Sequence, residues 1–151
     1  MKFQSIADTG TTLMLLPPKA TRDYYAQVPG ALSSSSEGGW TYPCDAKLPD
    51  LTLMISEVKA RVPATFLNRG RSATGSGKCY GGIQQGADSL SIWGDIFLKS
   101  QFVVFDGSNQ PRIGLAQQSI EVINIGPSPM LVSDVLHSES VATVETLETA
   151  G

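Results

Sequence analysis

Asp8-Thr9-Gly10-Thr11-Thr12 is where this sequence concentrates residues able to do chemistry. A carboxylate stands beside hydroxyls that can hydrogen-bond it, and Gly10 lets a second backbone approach closely. Such a set suits orientation and deprotonation of a water molecule. Ser5-Ile6-Ala7 precedes the motif and Leu13-Met14-Leu15-Leu16 follows it, so the acid falls at the end of an apolar strand. A second element lies far downstream, Ile92-Trp93-Gly94-Asp95-Ile96-Phe97-Leu98. Two bulky apolar residues before a glycine allow another strand to pass close to the carboxylate turn, because Gly94 has no side chain to obstruct it. By itself Asp-Thr-Gly is also ordinary turn chemistry. Context is what raises it.

The elements that must position these residues are mostly strands. Ser5–Asp8 and Leu13–Leu16 flank the motif, and Pro17-Pro18 stops the second. Residues 19–28 turn helical, with Ala20, Tyr24 and Val28 recurring at i, i+4 and i+8 before Pro29-Gly30. Residues 33–39 read as a polar loop. Strands are expected at 40–42, 51–55, 58–62, 79–84, 91–93, 102–105 and 112–115. Lys59 and Arg61 face away from Val58, Ala60 and Val62. Residues 63–68 are ambiguous, 69–78 read as an exposed loop, and 106–110 as a hairpin turn.

Composition bounds the rest. At 151 residues with 41% hydrophobic content, the chain is long enough for one domain with a real core. Fifteen glycines and nine prolines favour strands and turns over long helices. The net charge of −3 is unevenly spread: all eleven Lys and Arg lie between Lys2 and Arg112, while the five acids after Ile113 have no basic partner. The basic residues form no stripe, so no nucleic-acid partner is expected. No apolar run reaches the ~20 residues of a membrane helix, and no signal peptide is recognisable. Two cysteines and a single His137 are too few for a zinc site. Cys44 and Cys79 read either as one disulfide or as two buried thiols. Gly75-Ser76-Gly77-Lys78 lacks the spacing of a phosphate loop. No metal and no cofactor is expected. Residues 118–151 read as an acidic, Ser/Thr-rich tail, either disordered or carrying a frayed helix through Val141, Val144 and Leu147, with one more strand conceivable at 120–125.

Taken in order, the landmarks are Ile-Ala-Asp-Thr-Gly-Thr-Thr-Leu at 6–13, the Pro-Pro-Lys-Ala helix from 17, and Ser-Ser-Ser-Ser-Glu-Gly-Gly-Trp-Thr-Tyr-Pro-Cys at 33–44. There follow Leu-Pro-Asp-Leu-Thr-Leu at 48–53, Gly-Ser-Gly-Lys-Cys-Tyr-Gly-Gly-Ile-Gln at 75–84, Ile-Trp-Gly-Asp-Ile-Phe-Leu at 92–98 and Ile-Gly-Leu-Ala at 113–116. Over residues 3–117 this resembles the C-terminal lobe of pepsin-like aspartic proteases, most closely the fungal endothiapepsin and penicillopepsin type. The resemblance implies a mostly β fold, a single pepsin-type lobe (not necessarily complete) with one or two short helices, and the tail 118–151 outside it.

It also implies roles. Asp8 would be the C-terminal-lobe member of a catalytic carboxylate pair, Thr9 a link between lobes, and Thr11 a hydrogen-bond donor to Asp8. Gly10 and Thr12 would meet bound peptide, Ile6 and Ile92 would line the primed-side pocket, and Trp93-Gly94 would support the catalytic loop. Asp95 matches in a structural capacity, and Cys44 and Cys79 match the lobe's disulfide.

The sequence departs from that family in holding one Asp-Thr-Gly and no second such turn. The family's substrate-covering flap and second acid belong to an N-terminal lobe not recognisable here. An aspartic-type endopeptidase that is inactive alone is therefore expected, acting on peptide or protein with that lobe or a second copy. The family is secreted or vacuolar. A homodimeric, retropepsin-like enzyme and a non-catalytic β-rich binding module are the alternatives.

Overall fold

The computed structural model describes residues 3–118 and 142–144. Strand β1 (Gln4–Ala7) runs into the carboxylate turn, and β2 (Met14–Leu16) leaves it. Helix α1 (Pro18–Tyr25) follows, with Pro18 at its first position, where a missing N–H costs nothing. The Thr21 hydroxyl, fully buried, donates back to the carbonyls of Leu16 and Pro17. The helix stops at Tyr25 rather than Val28: Gln27 and Val28 donate to Tyr24 and Tyr25, a tightened turn in place of another α turn.

Next come β3 (Leu32–Ser34), β4 (Gly39–Pro43), β5 (Leu51–Ile55), β6 (Val58–Val62) and the short helix α2 (Ala64–Leu67). The chain continues through β7 (Asn68–Arg71), β8 (Lys78–Gly81), β9 (Ile83–Gln85) and β10 (Leu90–Trp93) to α3 (Asp95–Leu98). It ends in β11 (Gln101–Asp106), β12 (Arg112–Gln117) and β13 (Ala142–Val144). The fold is mostly β, as expected.

Other details differ from the sequence expectation, among them the strand read over 79–84, which is two strands, β8 and β9, in different sheets. Part of the 33–39 loop forms β3, which pairs with β4 as a hairpin. Residues 69–71, expected as loop, are strand together with Asn68, laid on β8 through a register irregularity. A third helix, α3, follows Gly94, where a four-residue span is too short to show a helical period. The strand conceived at 120–125 lies outside the described residues. Of the tail, the described residues 142–144 pair antiparallel with β12, rather than following a helical turn. β-Branched Thr143 and Val144 suit that conformation.

Four sheets result. Their strand orders are β1-β10-β2-β9, β3-β4-β8-β7, β5-β6 and β11-β12-β13. The first sheet positions the chemistry. β10 is inserted between β1, to which it is parallel, and β2, to which it is antiparallel. The 8–13 loop must therefore arch over the end of β10.

Beneath lies one core containing Met14, Leu16, Tyr25, Tyr42, Val62, Leu67, Ile83, Trp93 and Phe97. Each such large side chain removed from water contributes roughly 1.5–3 kcal/mol. Gln84 joins this core to the second sheet. Its Oε1 accepts the Trp40 N–H at 2.7 Å and its Nε2 donates to the Trp40 carbonyl at 3.1 Å, mimicking a strand pair. Cys44 and Cys79 form the disulfide, closing a separation of 35 residues between the end of β4 and β8.

Candidate active site

The Asp8 turn is built almost wholly from backbone that β10 and α3 supply. The Asp8 N–H donates to the Trp93 carbonyl at 3.0 Å, continuing the β1–β10 ladder one residue into the loop. The Gly94 N–H donates to Leu13, and the amides of Asp95 and Ile96 donate to the carbonyls of Thr11 and Thr12 at 2.8 and 3.2 Å. The far side of the loop thus consumes the free amides that open α3. Gly94 is required here: a Cβ at that position would run into the carbonyls of Thr11 and Leu13, which are backbone and cannot swing aside.

Within the loop, Asp8 is gripped from both sides. The Thr11 hydroxyl donates to one carboxylate oxygen at 2.5 Å and the Gly10 N–H donates to the other at 2.8 Å. The Thr11 hydroxyl first, then the Gly10 amide, hold the Asp8 carboxyl below its ordinary range, against a smaller opposing push from desolvation. Asp8 is half-buried, while Thr9, Gly10 and Thr12 are exposed on the same loop. The carboxylate is oriented, favoured in its charged form by both bonds and within reach of solvent.

Ile6, Ile92 and Trp93 lie on the paired strands β1 and β10 beside the carboxylate loop. Ile6 and Ile92 are register partners on adjacent parallel strands, so their side chains stand side by side. Ile6 is 49% exposed, an apolar wall beside the acid. Trp93 is buried, its ring 4.7 Å from that of Phe97. The Asp95 carboxylate points toward Lys99 at 4.0 Å, and it is the Asp95 amide that serves the loop.

Sequence reasoning missed Ser91. Fully buried, it accepts the Trp93 indole N–H at 3.0 Å and donates to the Leu15 carbonyl at 3.0 Å, tying β10 to β2 directly below the loop. Its signal was the i, i+2 spacing of Ser91 and Trp93, which puts both on one face of the strand. An apolar hollow lined by Phe105, Asp106, Pro111 and Ile113 belongs to the β11–β12 hairpin, in a different sheet from Asp8. Among the described residues, no three His, Cys, Asp or Glu side chains group as metal ligands would. No helix among them is long and apolar enough to cross a membrane.

A mostly β lobe whose carboxylate turn arches over an inserted strand, with glycine at the crossing, is the lobe type of pepsin-like proteases. Residues 1–118 match the family described as eukaryotic aspartyl protease, and the chain belongs to that family. It is similar to penicillopepsin-2 of Penicillium janthinellum, 54% identical over 118 residues, which is 78% of this chain and 30% of that protein. It is also similar to the aspartic endopeptidase PEP1 of Trichophyton verrucosum, 54% identical over 120 residues (78% of this chain, 29% of that one). Aspergillopepsin-1 of Aspergillus fumigatus is 51% identical over 118 residues, covering 78% and 30%. The chain thus spans about 30% of the length of the curated relatives it matches.

Proposed function

We propose that Asp8 is one of the two carboxylates of an aspartic endopeptidase, and that this chain alone does not complete the pair. The observation that carries this reading is the double donation onto Asp8, which favours the charged form of the acid at the solvent-facing end of β1. An ionised Asp8 can accept a proton from an attacking water. Peptide hydrolysis of this kind also needs a protonated acid to polarise the scissile carbonyl, and one carboxyl cannot hold both states together. The sequence contains a single Asp-Thr-Gly and no Asp-Ser-Gly, so the second acid comes from a second lobe or a second copy.

Around Asp8, the exposed Gly10 and Thr12 offer backbone and hydroxyl to an extended peptide. Ile6 and Ile92 favour apolar side chains beside the cleaved bond, through a desolvated contact. Thr9, exposed on the loop, faces whatever brings the second acid. The Cys44–Cys79 disulfide supports work in an oxidising compartment, secreted or vacuolar.

The test uses the pure chain and a denatured protein substrate in mild acid. No cleavage is expected from the chain alone. Mixed with the complementary portion of a relative such as penicillopepsin-2, itself carrying one acid, it should gain peptidase activity that Asp8→Asn abolishes. Cleavage by a strictly monomeric preparation, lost in Asp8→Asn, would overturn the reading.

A further inference from the structure

The two flanks of β12 are unequally held. On one side β11 pairs along the whole strand, Gln101–Asp106 against Arg112–Gln117. On the other, β13 holds only Ile113, Gly114 and Leu115, opposite Val144, Thr143 and Ala142. Chain connection does not dictate that second pairing. Antiparallel neighbours are commonly joined by about two to five residues, whereas residues 118–141 separate β12 from β13. Closure entropy grows with the length of the connection, so this pairing starts at a larger cost than a hairpin's. A short ladder set against a long connection places β13 among the elements that open first.

The edge beneath β13 is one that invites a cover. Ile113-Gly114-Leu115-Ala116 holds neither charge nor proline, and its ladder with β11 runs without a bulge. Natural sheets blunt open edges with those very features, because unpaired N–H and C=O groups recruit extended chain. Nor does β12 owe its own place to β13. Besides its pairing with β11, the Gln117 amide clasps the Arg61 backbone. Its Oε1 accepts the Arg61 N–H at 2.8 Å, and its Nε2 donates to the Arg61 carbonyl at 3.2 Å. The edge persists when the third strand leaves.

We propose that the edge of β12 is a strand-docking site, with Ala142–Val144 of the chain's own tail as its resident and displaceable occupant. The tail is then a strap, and a like strand supplied by another molecule takes its place. Backbone groups provide the attraction, so the partner is an extended segment that enters antiparallel to β12. Attachment favours the resident, since a tethered strand acts at an effective concentration on the order of millimolar.

The experiment uses the full chain and a variant carrying Thr143→Pro and Val144→Pro. Successive residues of a strand point their N–H groups to opposite sides, so the pair of prolines removes a ladder donor in either orientation. Native-state amide exchange is read at residues 113–115, and a synthetic peptide of residues 139–147 is titrated to millimolar concentration by NMR. Those of the 113–115 amides that face β13 should exchange at least tenfold faster in the variant, while the amides facing β11 stay as they were. The peptide should shift the resonances of residues 113–115 in the variant and bind wild type severalfold more weakly. A peptide bearing the same two prolines should bind neither. Three results would each overturn the proposal: exchange at 113–115 unchanged by the prolines, peptide binding equal in wild type and variant, or an edge that opens in the variant and takes no peptide.

Discussion

The Thr11 hydroxyl and the Gly10 amide donate to opposite oxygens of the same Asp8 carboxylate, at 2.5 and 2.8 Å. Both bonds favour the charged form, so the folded Asp8 pKa is depressed. A depressed carboxyl contributes stability that is present above its unfolded value, ~3.9, and lost as pH falls through the lower folded value. Thr11→Val keeps the shape and removes the largest cause. The Asp8 carboxyl should then titrate closer to its ordinary range, read by the carboxyl carbon shift in NMR. A titration unchanged by the substitution would show that the Thr11 hydroxyl does not set the charge state.

Gly94 makes a prediction of the opposite character, steric and not electrostatic. Its missing Cβ leaves room for two loop carbonyls, and no flexible side chain is available to give way. Gly94→Ala should destabilise the chain by roughly 1–3 kcal/mol, the usual cost of overpacking. It should also loosen the amide–carbonyl bonds from Asp95 and Ile96 to Thr11 and Thr12. Urea unfolding gives the first quantity and amide hydrogen exchange at residues 95 and 96 the second. Unfolding at wild-type denaturant concentration would mean that the loop sits further from β10 than it does here.

How far the sequence disclosed this arrangement depended on range. Alternation marked β5 and β6 correctly, because one face of each is buried and the other is exposed, carrying Thr52 and Met54 on β5 and Lys59 and Arg61 on β6. The acid at the end of β1 and the glycine in the downstream element were likewise visible as residue types at strand ends. What stayed hidden was long-range or very short. The insertion of β10 between β1 and β2 is a pairing fact that no local pattern encodes, and β3 and β7 are polar strands whose ladders, not their side chains, define them. Ser91 was hidden because a lone serine in a strand looks solvated until its partners are known. The pairing of Cys44 with Cys79 came from resemblance, since two cysteines alone leave the thiol state open.

That disulfide offers a stability measurement. It joins the end of β4 to β8, already neighbours by backbone hydrogen bonds, so the native sheet should survive its loss. In the chain-entropy account, closing a loop of this size is worth ~3–4 kcal/mol, through restriction of the unfolded chain. The double substitution Cys44→Ser, Cys79→Ser should lower the unfolding free energy by about that amount. Amide exchange near Asp8 under native conditions should stay close to wild type. A small loss of stability together with a disturbed Asp8 loop would contradict this account, since it would place the bond's effect in the folded state.

Ser91 can be separated from general packing by a double-mutant cycle with Trp93. In the native state the Ser91 hydroxyl is both acceptor for the indole and donor to Leu15, and all of it is buried. Ser91→Ala leaves the buried indole N–H unpartnered, a cost of about 1–3 kcal/mol for a buried polar group left without a bond. Trp93→Phe removes the indole donor while keeping an aromatic ring against Phe97, so its own cost should be mainly lost packing. If the hydroxyl–indole bond is what couples them, the double variant should be less destabilised than the sum of the singles, by roughly 0.5–3 kcal/mol. Strict additivity would reduce Ser91 to a bystander. A coupling accompanied by a changed Asp8 amide shift would instead show that the bond beneath the loop reaches the acid above it, through the Trp93 carbonyl that accepts the Asp8 N–H.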